Sequence, residues 1–116
     1  MELVNRFAMK DNLQFILVMV TVGSESEGAA IASALVESSF AACVKMFPVS
    51  STYRWQGQVQ QDQEWQLLIK TQTARFEAVE SLVRSHHSYE VPEIIAIPVT
   101  QGSAPYLSWI QQQTSS

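Results

Sequence analysis

The stretch RSHHSYEVPEI, positions 84–94, gathers the side chains best suited to chemistry. His86 and His87 are the chain's two histidines, and Tyr89, Glu90 and Glu93 follow closely. Imidazole binds Cu²⁺ and Zn²⁺ well, and carboxylates can complete such a ligand set. The spacing argues against a ready chelate. Neighbouring helical residues point about 100° apart, and a helical metal pair is spaced His-x-x-x-His. Helical phase puts His86 in the stripe of Phe76, Val79 and Val83, with His87 further round. The alternative is structural: a histidine at a helix C-terminus meets the negative end of the dipole and packs its ring. The metal chemistry predicted here is weak binding of Cu²⁺ in preference to Mg²⁺ or Ca²⁺, which want hard oxygen cages.

Pro92 holds Glu90 and Glu93 on an extended segment. They are candidate ligands or an acid/base pair, or else structural partners of Lys70, Tyr53 or Tyr89. Cys43 is either a small buried hydrophobe or a soft copper ligand facing a cleft. Cys43, Tyr53, Lys70, Tyr89, Glu90 and Glu93 are together the candidates for a cleft between subunits, with Lys70, Tyr89 and Glu90 expected to meet in it. Tyr53 and Trp55 lie near a hairpin tip, outside any monomer core, and read as interface residues. The chain carries no Gly-x-Ser-x-Gly elbow, and its four glycines form no phosphate loop, so no organic cofactor is expected. An enzyme built on the Tyr53, Lys70, Tyr89, Glu90 and Glu93 cluster stands as a further alternative.

Composition narrows the classes. With 116 residues, 47% of them hydrophobic, the chain makes one domain with a real core. Charged residues are only 16%, which hints that part of the surface is covered in an oligomer. The net charge is −4 and no Lys/Arg run exists, so nucleic-acid binding is set aside. The longest apolar run falls far short of a membrane span, and the first residues hold no secretory h-region. A cytoplasmic protein is expected, its one cysteine allowing no internal disulfide.

The elements that must position these residues follow from periodicity. QFILVMVTV, 14–22, is an apolar, β-branched run that suits a central strand buried on both faces. Ser24-x-x-Glu27 has the capping-box spacing and opens a helix with Ile31 and Leu35 one turn apart. Residues 42–55 read as a long strand, broken or bulged near Pro48. Gln56-Gly57 is a tight turn, and 58–71 returns as a second long strand with a polar outer half. Thr73 is expected to cap a helix with Phe76, Val79, Leu82 and Val83 on one stripe. A strand over 93–100 and a short last helix complete the order β-α-β-β-α-β-α. That order is an α+β, ferredoxin-like split β-α-β sandwich with a long protruding hairpin and an extra C-terminal helix. The expected boundaries are a flexible extension at 1–12, one domain at 13–113 and a tail at 114–116.

Several stretches taken in order carry a family resemblance: AACVKMFPVSSTYRWQGQVQQDQEWQLLIKT, HHSYEVPEIIAIPV and PYLSWI. With Ala-Cys-Val, Tyr-x-Trp-x-Gly, Ile-Lys-Thr and His-x-Tyr-Glu-x-Pro-Glu-Ile at consistent spacing, the chain resembles the CutA divalent-cation tolerance proteins. The resemblance implies a ferredoxin-like protomer, a homotrimer, and a role in tolerance to copper and other divalent metals. Its partners would then be copies of itself and divalent metal ions. Some family members carry a cysteine on the first strand as a candidate copper ligand, where Val20 stands here. A trimeric small-molecule-sensing or scaffold protein, with ligand clefts between subunits, is the alternative function.

Overall fold

The structure, a computed structural model, describes residues 13–115. The extension expected at 1–12 lies outside the described residues. The elements run β1 (Phe15–Val22), α1 (Glu25–Glu37), β2 (Cys43–Trp55), β3 (Gln58–Gln72), a 3₁₀ turn (Thr73–Arg75), α2 (Phe76–His86), β4 (Ile94–Pro98) and α3 (Ala104–Gln113). One four-stranded sheet has the order β2-β3-β1-β4, with every pairing antiparallel. This is the α+β split β-α-β arrangement the element order predicts.

Alternation within each strand divides the sheet into two faces. On one face Ile16, Val18, Val20, Val22, Leu67 and Ile69 meet Ile31 and Leu35 of α1 and Val79 and Val83 of α2. Each such side chain contributes about 1.5–3 kcal/mol of burial. α1 lies close because it turns Gly28 to the sheet: a Cβ there would stand 2.5 Å from the Met46 sulfur. The opposite face carries only α3, laid over the Lys70–Gln72 end of β3 with Ile110 buried beneath it, and is otherwise uncovered. Phe15, Leu17 and Met19 of β1 are only half-buried there, so burial on both faces of the central strand is not completed within one chain. Phe47, Ile95 and Ile97 lie on the same open face and are exposed, at 41%, 52% and 45%.

Three local expectations are corrected. β2 is not broken at Pro48; it pairs with β3 without interruption from Cys43↔Lys70 to Trp55↔Gln58. β2 is an edge strand, where a proline whose nitrogen faces outward costs no ladder bond. Thr73 does not cap α2; its hydroxyl donates to the Leu13 carbonyl at 2.6 Å, and the chain enters α2 through a 3₁₀ turn. The Ser24 hydroxyl does accept from the Glu27 N–H at 3.2 Å, but Glu27 does not complete a reciprocal box. Its carboxylate accepts instead from the Ser88 N–H at 2.8 Å and the Ser88 hydroxyl at 2.9 Å.

The hairpin is longer than the sheet behind it. β1 reaches β3 only from Trp65 to Gln72, so residues 49–55 and 58–64 continue as a two-stranded ribbon. Its turn has positive φ at both Gln56 (52°) and Gly57 (79°), the geometry that matches the twist of tightly joined strands.

Candidate functional site: an acidic, aromatic cleft

α2 ends at His86, and His87 is already extended, with φ −86° and ψ 140°. The two rings therefore leave the helix on different courses. His87 is the inward one, with a side chain wholly out of solvent. Its Nε2 lies 2.7 Å from the Thr21 carbonyl, which can only accept, so Nε2 carries the proton. Its Nδ1 then accepts the Tyr89 N–H at 3.0 Å, with a Glu27 carboxylate oxygen 3.4 Å away. Both nitrogens are engaged. His86 is exposed, not part of the apolar stripe that helical phase suggested. Its Nδ1 lies 3.0 Å from the Leu82 carbonyl, which fixes the proton there and leaves the Nε2 lone pair outward. The pair thus holds opposite tautomers.

This register brings Tyr89 back across the sheet end. Its hydroxyl donates to Glu64 Oε2 at 2.7 Å, and its ring packs 4.8 Å from that of His87. Glu64 is only 6% exposed although it belongs to the polar half of β3, as its last residue. Partial burial, reinforced by the hydrogen bond to Glu64, pushes the Tyr89 phenol well above its ordinary range. Nearby, Tyr53 donates a short hydrogen bond to Asp62, and that bond raises the Tyr53 phenol as well. Between the ribbon and the α2–β4 loop opens a cleft of about 610 Å³, walled by Tyr53 and Trp55 on one side and Tyr89, Glu90, Val91 and Glu93 on the other. Thr21 and Glu64 form part of its floor.

Of the sequence candidates, Tyr53, Trp55, Tyr89, Glu90 and Glu93 line this cleft. Lys70 and Cys43 do not. They face each other across β2 and β3, and the Lys70 ammonium donates to the Tyr106 hydroxyl at 3.2 Å. Lys70 is six residues from Glu64 along β3, roughly 20 Å, so within one chain it does not meet Tyr89 and Glu90. Sequence reasoning misses Thr21 and Glu64, and it reads Glu27 only as a helix cap. Glu64 carried no signal beyond its place in a polar strand half; only the return of Tyr89 buries it.

The donor set was tested against a divalent cation. Among the described residues, no three His, Cys, Asp or Glu side chains come together as a metal-binding group. His87 offers no lone pair, and His86 offers one. A two-imidazole chelate does not fit this geometry.

Gly23 lets Tyr89 close. A Cβ at Gly23 would stand 3.0 Å from the Tyr89 hydroxyl, tighter than ordinary contact. Gly23→Ala should push the phenol off Glu64 and return it toward solvent. Its ionisation should then fall toward the ordinary phenol range near pH 10, seen as earlier tyrosinate absorbance in an alkaline titration. A raised phenol pKa gives stability that is present below about pH 10 and lost as pH climbs through the folded value, so the variant should also lose less stability at high pH. An unchanged titration curve would show that Gly23 does not position Tyr89.

Comparison with known proteins settles the family. The sequence model described as "CutA1 divalent ion tolerance protein" matches residues 16–113. The chain belongs to the CutA family. It is 46% identical over 99 residues to the divalent-cation tolerance protein CutA of Thermus thermophilus, covering 84% of this chain and 96% of that one. Its 46% identity to human protein CutA covers 84% of this chain but 55% of that protein, so the chain spans about half the length of that CutA relative. The solved Thermus thermophilus CutA superposes with a TM-score of 0.84, covering 86% of this chain and 98% of that one. The periplasmic divalent cation tolerance protein CutA of Archaeoglobus fulgidus gives 0.85 at 34% identity, with 86% and 98% covered.

Proposed function

We propose that this CutA-family chain is a homotrimeric divalent-cation tolerance protein that takes Cu²⁺, or another divalent cation, only weakly. The observation that carries the metal reading is the outward Nε2 lone pair of His86. A ring held by a backbone carbonyl through its other nitrogen is oriented as metal-binding histidines are. A single imidazole, with water and at most a nearby carboxylate, gives weak binding. Such a site loses metal as pH falls through about 6.5, because the ring must be neutral to coordinate. Calorimetric titration with Cu²⁺ should show binding that His86→Ala abolishes and that does not need a second imidazole. Unchanged copper affinity in His86→Ala would remove the site.

The trimer reading rests on the open sheet face, where apolar side chains stay exposed beside the half-buried face of β1. Other copies packed there would cover them. No helix among the described residues is long and apolar enough to cross a membrane. We place the protein in the cytoplasm on the strength of its single cysteine, Cys43; cell fractionation that finds it elsewhere would remove that placement.

A second reading is favoured by the cleft itself. Its volume lies in the range of small-molecule sites, and aromatic walls with a few convergent polar groups are the usual lining. In the assembled trimer this reading makes the protein a small-molecule sensor or scaffold whose cleft lies at a subunit boundary. Lys70 and Cys43 then reach the cleft, if at all, from a neighbouring copy.

A further inference from the structure

The cleft has a charge character that selects its occupant. The carboxylates that one chain gives it are Glu64, Glu90 and Glu93, and no lysine or arginine of that same chain lines it. Glu64 is the decisive one. It is 6% exposed, yet it forms no ion pair among the described residues. Its single hydrogen bond, from Tyr89, satisfies one oxygen. The other has no partner among the described residues, and it is not sealed off from the cleft. A buried carboxylate without a counter-charge is costly and is ordinarily paired. Three aromatic rings, Tyr53, Trp55 and Tyr89, surround the same space. Ring faces attract cations within about 6 Å, and attract them more strongly when water is excluded.

We propose that this cleft binds a small organic cation, an amine with a short apolar body, whose ammonium pairs with Glu64 while its methylene or methyl groups lie against Tyr53, Trp55 and Tyr89. This rests on the small-molecule reading of the cleft and names the ligand class for it. Glu90 and Glu93, at the mouth, add long-range attraction that salt screens. The ammonium hydrogen-bonds the free Glu64 oxygen, so Tyr89 keeps its own bond to the other.

The test is calorimetric titration of the metal-free protein with 1,5-diaminopentane and with n-butylamine, set against glutarate, a dicarboxylate of the same chain length as the diamine. The amines should bind saturably and glutarate should not. Glu64→Gln should weaken amine binding at least tenfold. Its amide oxygen still accepts from Tyr89, so the wall stays in place; light scattering and melting confirm that assembly and fold are retained. Glu90→Gln/Glu93→Gln should weaken binding about threefold at low salt, and Glu37→Gln, on α1 away from the cleft, should not. No saturable amine binding, or equal binding by Glu64→Gln, would overturn the proposal. Tighter binding of glutarate would overturn the ligand class while leaving the cleft a ligand site. Copper binding at His86 is measured separately and does not bear on either outcome.

Discussion

His87→Ala is expected to cost about 2–3 kcal/mol of folding stability, because a buried hydrogen-bonding group left unsatisfied costs about 1–3 kcal/mol. One such group is the part-buried Thr21 carbonyl; the Tyr89 N–H also loses its partner, but at an exposed position where water can replace it. The ring also fills a site with no solvent exposure, so its removal adds a cavity. The damage should run outward along the cleft wall, since Tyr89 is placed by that N–H. A urea melt reads the stability, and Tyr89 should ionise closer to its ordinary range in the same variant. His86→Ala is the built-in contrast: an exposed ring at a helix end should change stability by less than about 0.5 kcal/mol. Similar losses in the two variants would refute the division of labour between the histidines.

Trp55→Ala should weaken assembly by roughly 2–4 kcal/mol per contact, the range for a central aromatic anchor. Trp55 ends β2, shares the open face with Tyr53 and is 42% exposed in the single chain. It lies outside the apolar core cluster. Far-ultraviolet circular dichroism should therefore be little changed while the proposed trimer dissociates at higher concentration, as followed by light scattering. A trimer of unchanged concentration dependence and unchanged melting would mean that Trp55 anchors nothing.

The fold was legible because its signals are periodic and local. β1, α1, β3 and α2 each show the period of the face they bury, and the turn at Gln56-Gly57 announces itself by residue type. What escaped the sequence is long-range. The Ser24-x-x-Glu27 spacing is half right: Ser24 caps as local rules say, but Glu27 is taken by Ser88, sixty-one residues away. The same competition hides Thr73, whose hydroxyl goes to Leu13. Helical phase placed His86 inside and His87 further round, which holds only while the helix continues. Once α2 ends at His86, the next residue turns inward, and wheel geometry no longer applies. Tyr53, Tyr89, Glu90 and Glu93 are recognisable as a group by type, while Trp55 reads from sequence only as an interface residue beside Tyr53. Lys70 does not join them within one chain, because it sits at the far end of the same strand, which chain order does not reveal. Glu64 was missed because polarity along a ribbon predicts exposure, and a tyrosine from another loop reverses it.

The ribbon formed by residues 49–55 and 58–64 bears on timing as well as shape. A two-stranded hairpin is marginally stable in water without further packing. This one supplies Ser51, Thr52, Tyr53 and Trp55 to one wall of the cleft. Opening of the ribbon and loss of that wall are therefore a single event. Whatever packs on the ribbon slows the opening, and whatever sits in the cleft slows it too. The two act on one local equilibrium, and by linkage each must strengthen the other by the same factor. The hairpin amides should accordingly exchange with deuterated water more slowly when the cleft is filled, although a ligand there touches few of them.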